Sequence, residues 1–313
     1  MELSKVAIRH ESSRALSRRN LWPLQALALA GSGLLLFACG GTSEAPPAAG
    51  GTISGTVSKG PASGAAVIAF SVSGGAMGAQ LGAATSDALG HFTLSIGSHA
   101  GPVMLQMNGG AYTDEATGTT MTMQSGDVMT AVVPSVTAGS TMSGIQITPL
   151  TSMAQARAQN MAGGMTDANI ALANGAVGGY FAVADILHMA PMNPLEPGSG
   201  ATATQDAKNY GICIAAMTQY AKTIGMTTSS SGIVTAMMKD ASDGIMNGMM
   251  GSTAISMAGM GGMMGGSMQA TAGTSGLATA MSQFIGSAMN KSGVQMTDMQ
   301  ALINKLSSAG GAI

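Results

Sequence analysis

Between residues 52 and 138 apolar and polar residues alternate at period two. Ile53, Gly55 and Val57 form one set, Ile68, Phe70 and Val72 a second, Phe92, Leu94 and Ile96 a third, and Val103, Leu105 and Met107 a fourth. Such alternation predicts strands with one face buried. The runs are punctuated by Lys59-Gly60-Pro61, Ser73-Gly74-Gly75, Asp87-Ala88-Leu89-Gly90 and Asn108-Gly109-Gly110. Those are turn residues, at the spacing of a β-sandwich. From Ile147 the period lengthens towards that of a helix.

Thr148-Pro149 reads as an N-cap followed by proline at the first helical position, opening a helix to about Asn160. Thr166 caps a second helix, with Ile170, Ala173, Val177, Phe181 and Ala184 on one face, ending before Pro191. A third runs from Thr204 to Ile224 and stops at Gly225. Shorter ones are predicted over Gly232–Asp240, Gly276–Ala288 and Asp298–Leu306, the last opened by Thr297 in a capping box. Between them, 244–276 mixes Gly and Met with Ser, Thr and Ala, as in Asn247–Gln269 (NGMMGSTAISMAGMGGMMGGSMQ). Glycine costs a helix about 1 kcal/mol each relative to alanine, so a loose helix or a loop is expected there.

The fold class is thus multidomain β + α, an N-terminal antiparallel β-sandwich (52–138) followed by a Met-rich all-α helical domain (147–308). The N-terminus adds an address. Lys5, Arg9, Arg14, Arg18 and Arg19 precede the apolar stretch Leu21–Phe37. That stretch is short against the roughly 20 apolar residues of a membrane-spanning helix, and small Ala38 suits a signal-peptide cleavage site. The segment resembles a bacterial lipoprotein signal with the lipobox Leu36-Phe37-Ala38-Cys39. Phe37 departs from the small or β-branched residue usual there. The resemblance implies a signal peptide over 1–38, and Cys39 acylated as the first mature residue and tied to a membrane. Gly40, where inner-membrane lipoproteins carry Asp, points to the outer membrane. The alternative is an uncleaved N-terminal anchor, and either way the bulk of the chain is exported. Residues 39–51, Pro/Gly-rich, read as a flexible tether.

A second resemblance rests on Gly55-x-Val57-x-x-Gly60-Pro61-x-x-Gly64-Ala65-x-Val67 and Thr85-x-Asp87-x-x-Gly90-x-Phe92-x-Leu94. In that order they resemble the two signatures of a carboxypeptidase-regulatory-like module, also described as prealbumin-like or CnaB-like. It implies a small sandwich used as a spacer, stabiliser or adhesive unit, without catalytic residues. Some relatives form Lys-Asn isopeptide crosslinks from a buried lysine; Lys59 lies in a turn, so none is expected here. The helical half resembles only uncharacterised bacterial lipoproteins and implies no activity.

Beyond Cys39 only seven Lys/Arg and twelve Asp/Glu remain. That disfavours nucleic acid, which needs phosphate-neutralising charge. Cys213, between Ile212 and Ile214, reads as a buried inert thiol. His91 and His99 read as surface residues, His188 with Asp185 as a helix-end pair, and Asp240 with Asp243 as a helix C-terminal turn. Asp114 and Glu115 read as a solvated loop, two carboxylates being too few for Ca²⁺. No hydrolase, zincin, Walker or dinucleotide motif is present, so no enzyme is expected.

Methionine is the one residue with a sharp chemical alternative: the chain holds 29. Thioethers are soft and select Cu(I) or Ag(I). Met257, Met260 and Met263 repeat at i, i+3, i+6, with Met264 and Met268 beside them, and Met246-x-x-Met249-Met250 offers a second set. On a helix such spacing gathers sulfurs on one face. The competing readings are flexible core filler and an oxidant sink, since exposed methionines oxidise reversibly. The expectation is an envelope lipoprotein with a structural or binding role, its partners the membrane through Cys39 and an envelope protein or glycan. Cu(I)/Ag(I) sequestration is the alternative.

Overall fold

Strand β1 (Gly51–Val57) is the spine of a three-stranded sheet. The computed structural model describes residues 50–226, 230–257 and 266–313. The signal peptide, Cys39 and all of the tether but its last two residues lie outside the described residues, and Gly51, placed in the tether above, already belongs to β1. The remaining strands of the β region are β2 (Ala66–Ser73), β3 (Ala76–Thr85), β4 (His91–Gly97), β5 (Gly101–Asn108), β6 (Ala111–Thr113), β7 (Thr120–Thr122), β8 (Val128–Val136) and β9 (Thr141–Ile147). The first sheet has the order β4-β1-β9 and a four-stranded antiparallel sheet the order β3-β2-β5-β8; β6 and β7 pair with each other.

One pairing departs from the antiparallel expectation. β1 runs antiparallel to β4 but parallel to β9. Gly55 permits the second contact, because a Cβ there would fall 1.8 Å from the carbonyl oxygen of Ile145, and the register shifts at that point. The buried faces of β1, β4 and β5 are the alternating sets read from sequence. β2 is out of phase with its reading: Val67 and Ala69 are fully buried, and Ile68, Phe70 and Val72 half-buried. That strand is apolar on both faces, so alternation picks the bulkier face, not the better covered one.

Six helices follow among the described residues: α1 (Pro149–Asn160), α2 (Asp167–Tyr180), α3 (Gln205–Thr223), α4 (Ser231–Ala241), α5 (Ser275–Ile285) and α6 (Met296–Ser308). Thr148 and Thr151 close a capping box on α1. α2 stops four residues before Ala184: Ala182 takes a left-handed φ of 52°, and Val183 donates its N–H back to Gly178. Asp185 and His188 therefore lie beyond the helix, in a turn where the Asp185 carboxylate accepts the N–H of Leu187 and of His188. α6 begins before Thr297, with Gln295 as its cap and Asp298 completing the box.

The Gly/Met segment is not helical where it is described up to Thr274. Strands β10 (Met249–Met250) and β11 (Thr253–Ala254) form a hairpin, and Ser256 bridges Ser267. Residues 258–265 lie outside the described residues.

Sheets and helices share one core. α1 covers the edge of β8, where the Thr151 hydroxyl donates to the Thr130 carbonyl and the Thr130 N–H donates to the Ser152 hydroxyl, at 2.8 Å each. An edge strand's ladder groups are thereby satisfied by helix side chains. α3 is buried on most sides, against α5 and α4. The described residues from Gly50 to Ile313 form a single compact unit with one continuous apolar cluster.

Candidate functional site

The turn after β1 places Lys59 at the seam between strands and helices. Its side chain is 1% exposed. The loop after β6 brings Asp114 and Glu115, α3 brings Thr218, and the start of α4 brings Ser230. Lys59 Nζ donates to Ser230 Oγ at 2.6 Å and to Thr218 Oγ1 at 3.3 Å, lies 4.0 Å from Glu115 Oε2, and sits 4.4 Å from the centre of the Tyr112 ring. Thr218 donates to Glu115 Oε2 at 2.7 Å and Ser230 donates to Asp114 Oδ2 at 2.5 Å. Asp114 Oδ1 takes the N–H and hydroxyl of Thr117. Lys222 donates to the Ala116 carbonyl at 2.9 Å.

The acidic pair is therefore not the solvated loop expected above: both carboxylates are buried. Lys59 does lie in a turn, but its side chain points inward. Burial pushes the Glu115 carboxyl above its usual range, opposed by the Lys59 ammonium and the Thr218 hydroxyl. Lys59 and Ser230 sit in locally polar sequence that gives no sign of burial, whereas Thr218 follows the apolar run Ile212–Met217, which was the available signal.

Beside this cluster lies a cavity of about 190 Å³ lined by Glu115, Gln146, Pro61, Pro191, Met192 and Ile214, among others. Gln146, at the end of β9, donates Nε2 to the Gly144 carbonyl at 2.9 Å, which fixes its amide orientation. Its Oε1 is buried with no hydrogen-bond partner among the described residues. α3 meets the 190–194 loop at Gly211, where a Cβ would fall 1.9 Å from the Met192 carbonyl oxygen.

A third buried carboxylate lies in the last turn of α4. Asp240 Oδ1 accepts the N–H groups of Asn247 and Gly248, and Oδ2 is unpartnered among the described residues. Burial pushes this carboxyl up to about 6, against the lowering effect of those amides. Asp243 accepts the N–H groups of Ile245 and Gly251. The two carboxylates organise the turn after the helix, as read from sequence.

Met257 is 3% and Met268 5% exposed, and both pack in the core. They are brought together by backbone: Met257 donates its N–H to Gly266 and Met268 to Ile255. Met257 lies in chain that is neither helix nor strand. Met260, Met263 and Met264 lie outside the described residues. In the other set Met246 is buried in the loop after α4, and Met249, half-buried, and Met250, exposed, lie on the hairpin, so none is on a helix face.

Cys213 is fully buried and its thiol is pushed upward by burial. His91 and His188 are exposed and pair with Asp87 and Asp185 at 3.2 and 2.9 Å, and His99 is half-buried near the Pro102 carbonyl. No group of three or more His, Cys, Asp or Glu gathers among the described residues. Compared with known proteins, the chain matches no protein-family model and no curated relative.

Proposed function

We propose that this chain is an exported bacterial envelope lipoprotein, anchored through acylated Cys39 and held off the membrane by its tether. Its role is structural or binding work in the outer membrane, without catalysis, towards an envelope protein or glycan. On this reading the β region is a carboxypeptidase-regulatory-like sandwich, supported by the two ordered glycine motifs and by two sheets that contribute to one core.

The observation that carries the non-catalytic reading is the state of the Lys59–Ser230 pair. A serine beside a lysine is a known nucleophile–base arrangement. Here Lys59 donates to Ser230, and Ser230 donates to Asp114. Both side chains are buried and their polar atoms are engaged within the cluster, which keeps a substrate from the hydroxyl. The cluster serves to join strands to helices.

The Cu(I)/Ag(I) reading has weaker support, because Met257 and Met268 are packed in the core. The oxidant-sink reading keeps exposed candidates in Met77, Met250 and Met296. The anchor is tested by growth with a clickable palmitate analogue followed by membrane fractionation. Label in the outer-membrane fraction, lost in Cys39→Ala, is the expected result; an unlabelled, uncleaved chain overturns the anchor.

A further inference from the structure

We infer that the cavity between the β1 turn, the 190–194 loop and α3 is a binding site for a small neutral molecule. Its ligand carries one ring-sized apolar body and one N–H or O–H donor.

The orphaned amide oxygen of Gln146 sets the donor. A buried acceptor without a partner costs about 1–3 kcal/mol, and Gln146 cannot relieve this by flipping its amide, because Nε2 is held by the Gly144 carbonyl. Gln146 lines the cavity, so a donor carried by a molecule seated against that wall would meet this need. Neutrality follows from the charged groups of the cavity. Its lining holds two titratable side chains, Glu115, engaged by Thr218 and Lys59, and His91, paired with Asp87, so neither is a lone charge for an ionic ligand to meet. The apolar body follows from the walls, Pro61, Pro191, Pro194, Met192 and Ile214, and its size from the volume of about 190 Å³. An apolar cavity of roughly 150 Å³ holds a benzene-sized ring. Of the lining residues His91 and Ala190 are exposed, and they mark the open side.

The site is separate from the protein or glycan binding proposed above. It does not involve the anchor, so loss of either leaves the other standing. The test uses methionine-methyl-labelled full-length protein and follows the Met192 methyl signal, assigned with Met192→Leu. Cyclohexanol is the probe and methylcyclohexane the control without a donor. The expected result is a saturable shift with cyclohexanol, weakened about tenfold in Gln146→Met and with methylcyclohexane, as for one lost hydrogen bond. The rim variant Ala190→Trp abolishes the shift. No saturable shift, or equal binding of the two probes, overturns the site. Should Gln146→Met not fold, the comparison of the two probes on the natural chain decides alone.

Discussion

Lys59 and Ser230 are separated by 171 residues in the chain, and their polar atoms stand 2.6 Å apart. One belongs to the turn after the first strand, the other to the start of a helix in the C-terminal half. The contact is buried, so it cannot be exchanged for water without cost. Removing one partner of a buried charged pair costs about 3–5 kcal/mol. Lys59→Ala is expected to lower the unfolding free energy by about that amount, because Glu115 is left without its ammonium. Lys59→Met with Glu115→Gln is expected to recover part of the loss. Urea unfolding of the three proteins checks both, and equal stability of Lys59→Ala and the natural chain would refute the assignment.

Stability should fall as pH rises through the acid range. Asp240 titrates near 6 in the folded chain against an ordinary value of 3.8. Between these values the folded state binds the extra proton, so this carboxyl's contribution is fully present below about pH 4 and is lost as pH rises through the folded value. Glu115, also raised, acts in the same direction. A pKa unit is worth about 1.4 kcal/mol, and allowing for solvent screening the Asp240 contribution is of the order of 2 kcal/mol. Asp240→Asn is expected to flatten the slope of urea midpoint against pH between about 4 and 6. A slope unchanged in the variant would contradict the buried orphan oxygen.

Gly211 is the tightest point of the cavity wall. A methyl group there meets the Met192 carbonyl oxygen, and overpacking of this kind costs about 1–3 kcal/mol. Gly211→Ala is expected to destabilise by that amount and to displace the 190–194 loop, seen as a shift of the Met192 methyl signal. A neutral substitution would mean that the loop is not held against α3.

Methionines should divide by burial. Under dilute peroxide, peptide mapping is expected to show Met77, Met250 and Met296 oxidised well before Met257 and Met268. Early oxidation of Met257 or Met268 would place them outside the core and revive soft-metal chemistry there. Cys213, in the Cys39→Ser chain, is expected to resist thiol reagents at neutral pH until the protein is unfolded.

Much of the architecture was legible in the sequence, for identifiable reasons. Helix starts were readable where a hydroxyl N-cap preceded the pattern: Thr148 and Thr166 cap as read, and Thr204, read as the first residue of α3, caps it, whereas Thr297 lies inside α6. Strands with one bulky face were equally plain. β3 was not, because Ala76–Thr85 is small and weakly apolar, and its pairing with β2 is what makes it a strand. The end of α2 was hidden because Ala182, an alanine, takes a left-handed conformation that usually signals glycine. The seam cluster was the least visible. Burial of Lys59, Asp114 and Glu115 depends on a helix more than 100 positions away, which no local period records.

Strands and helices are expected to unfold as one cooperative body closed by that cluster. Native-state hydrogen exchange against rising denaturant, followed in β1 and in α5, tests this. The slowest amides of both elements should open with the same free energy and the same denaturant dependence. Exchange of α5 through a separate, lower opening while β1 stays protected would contradict it.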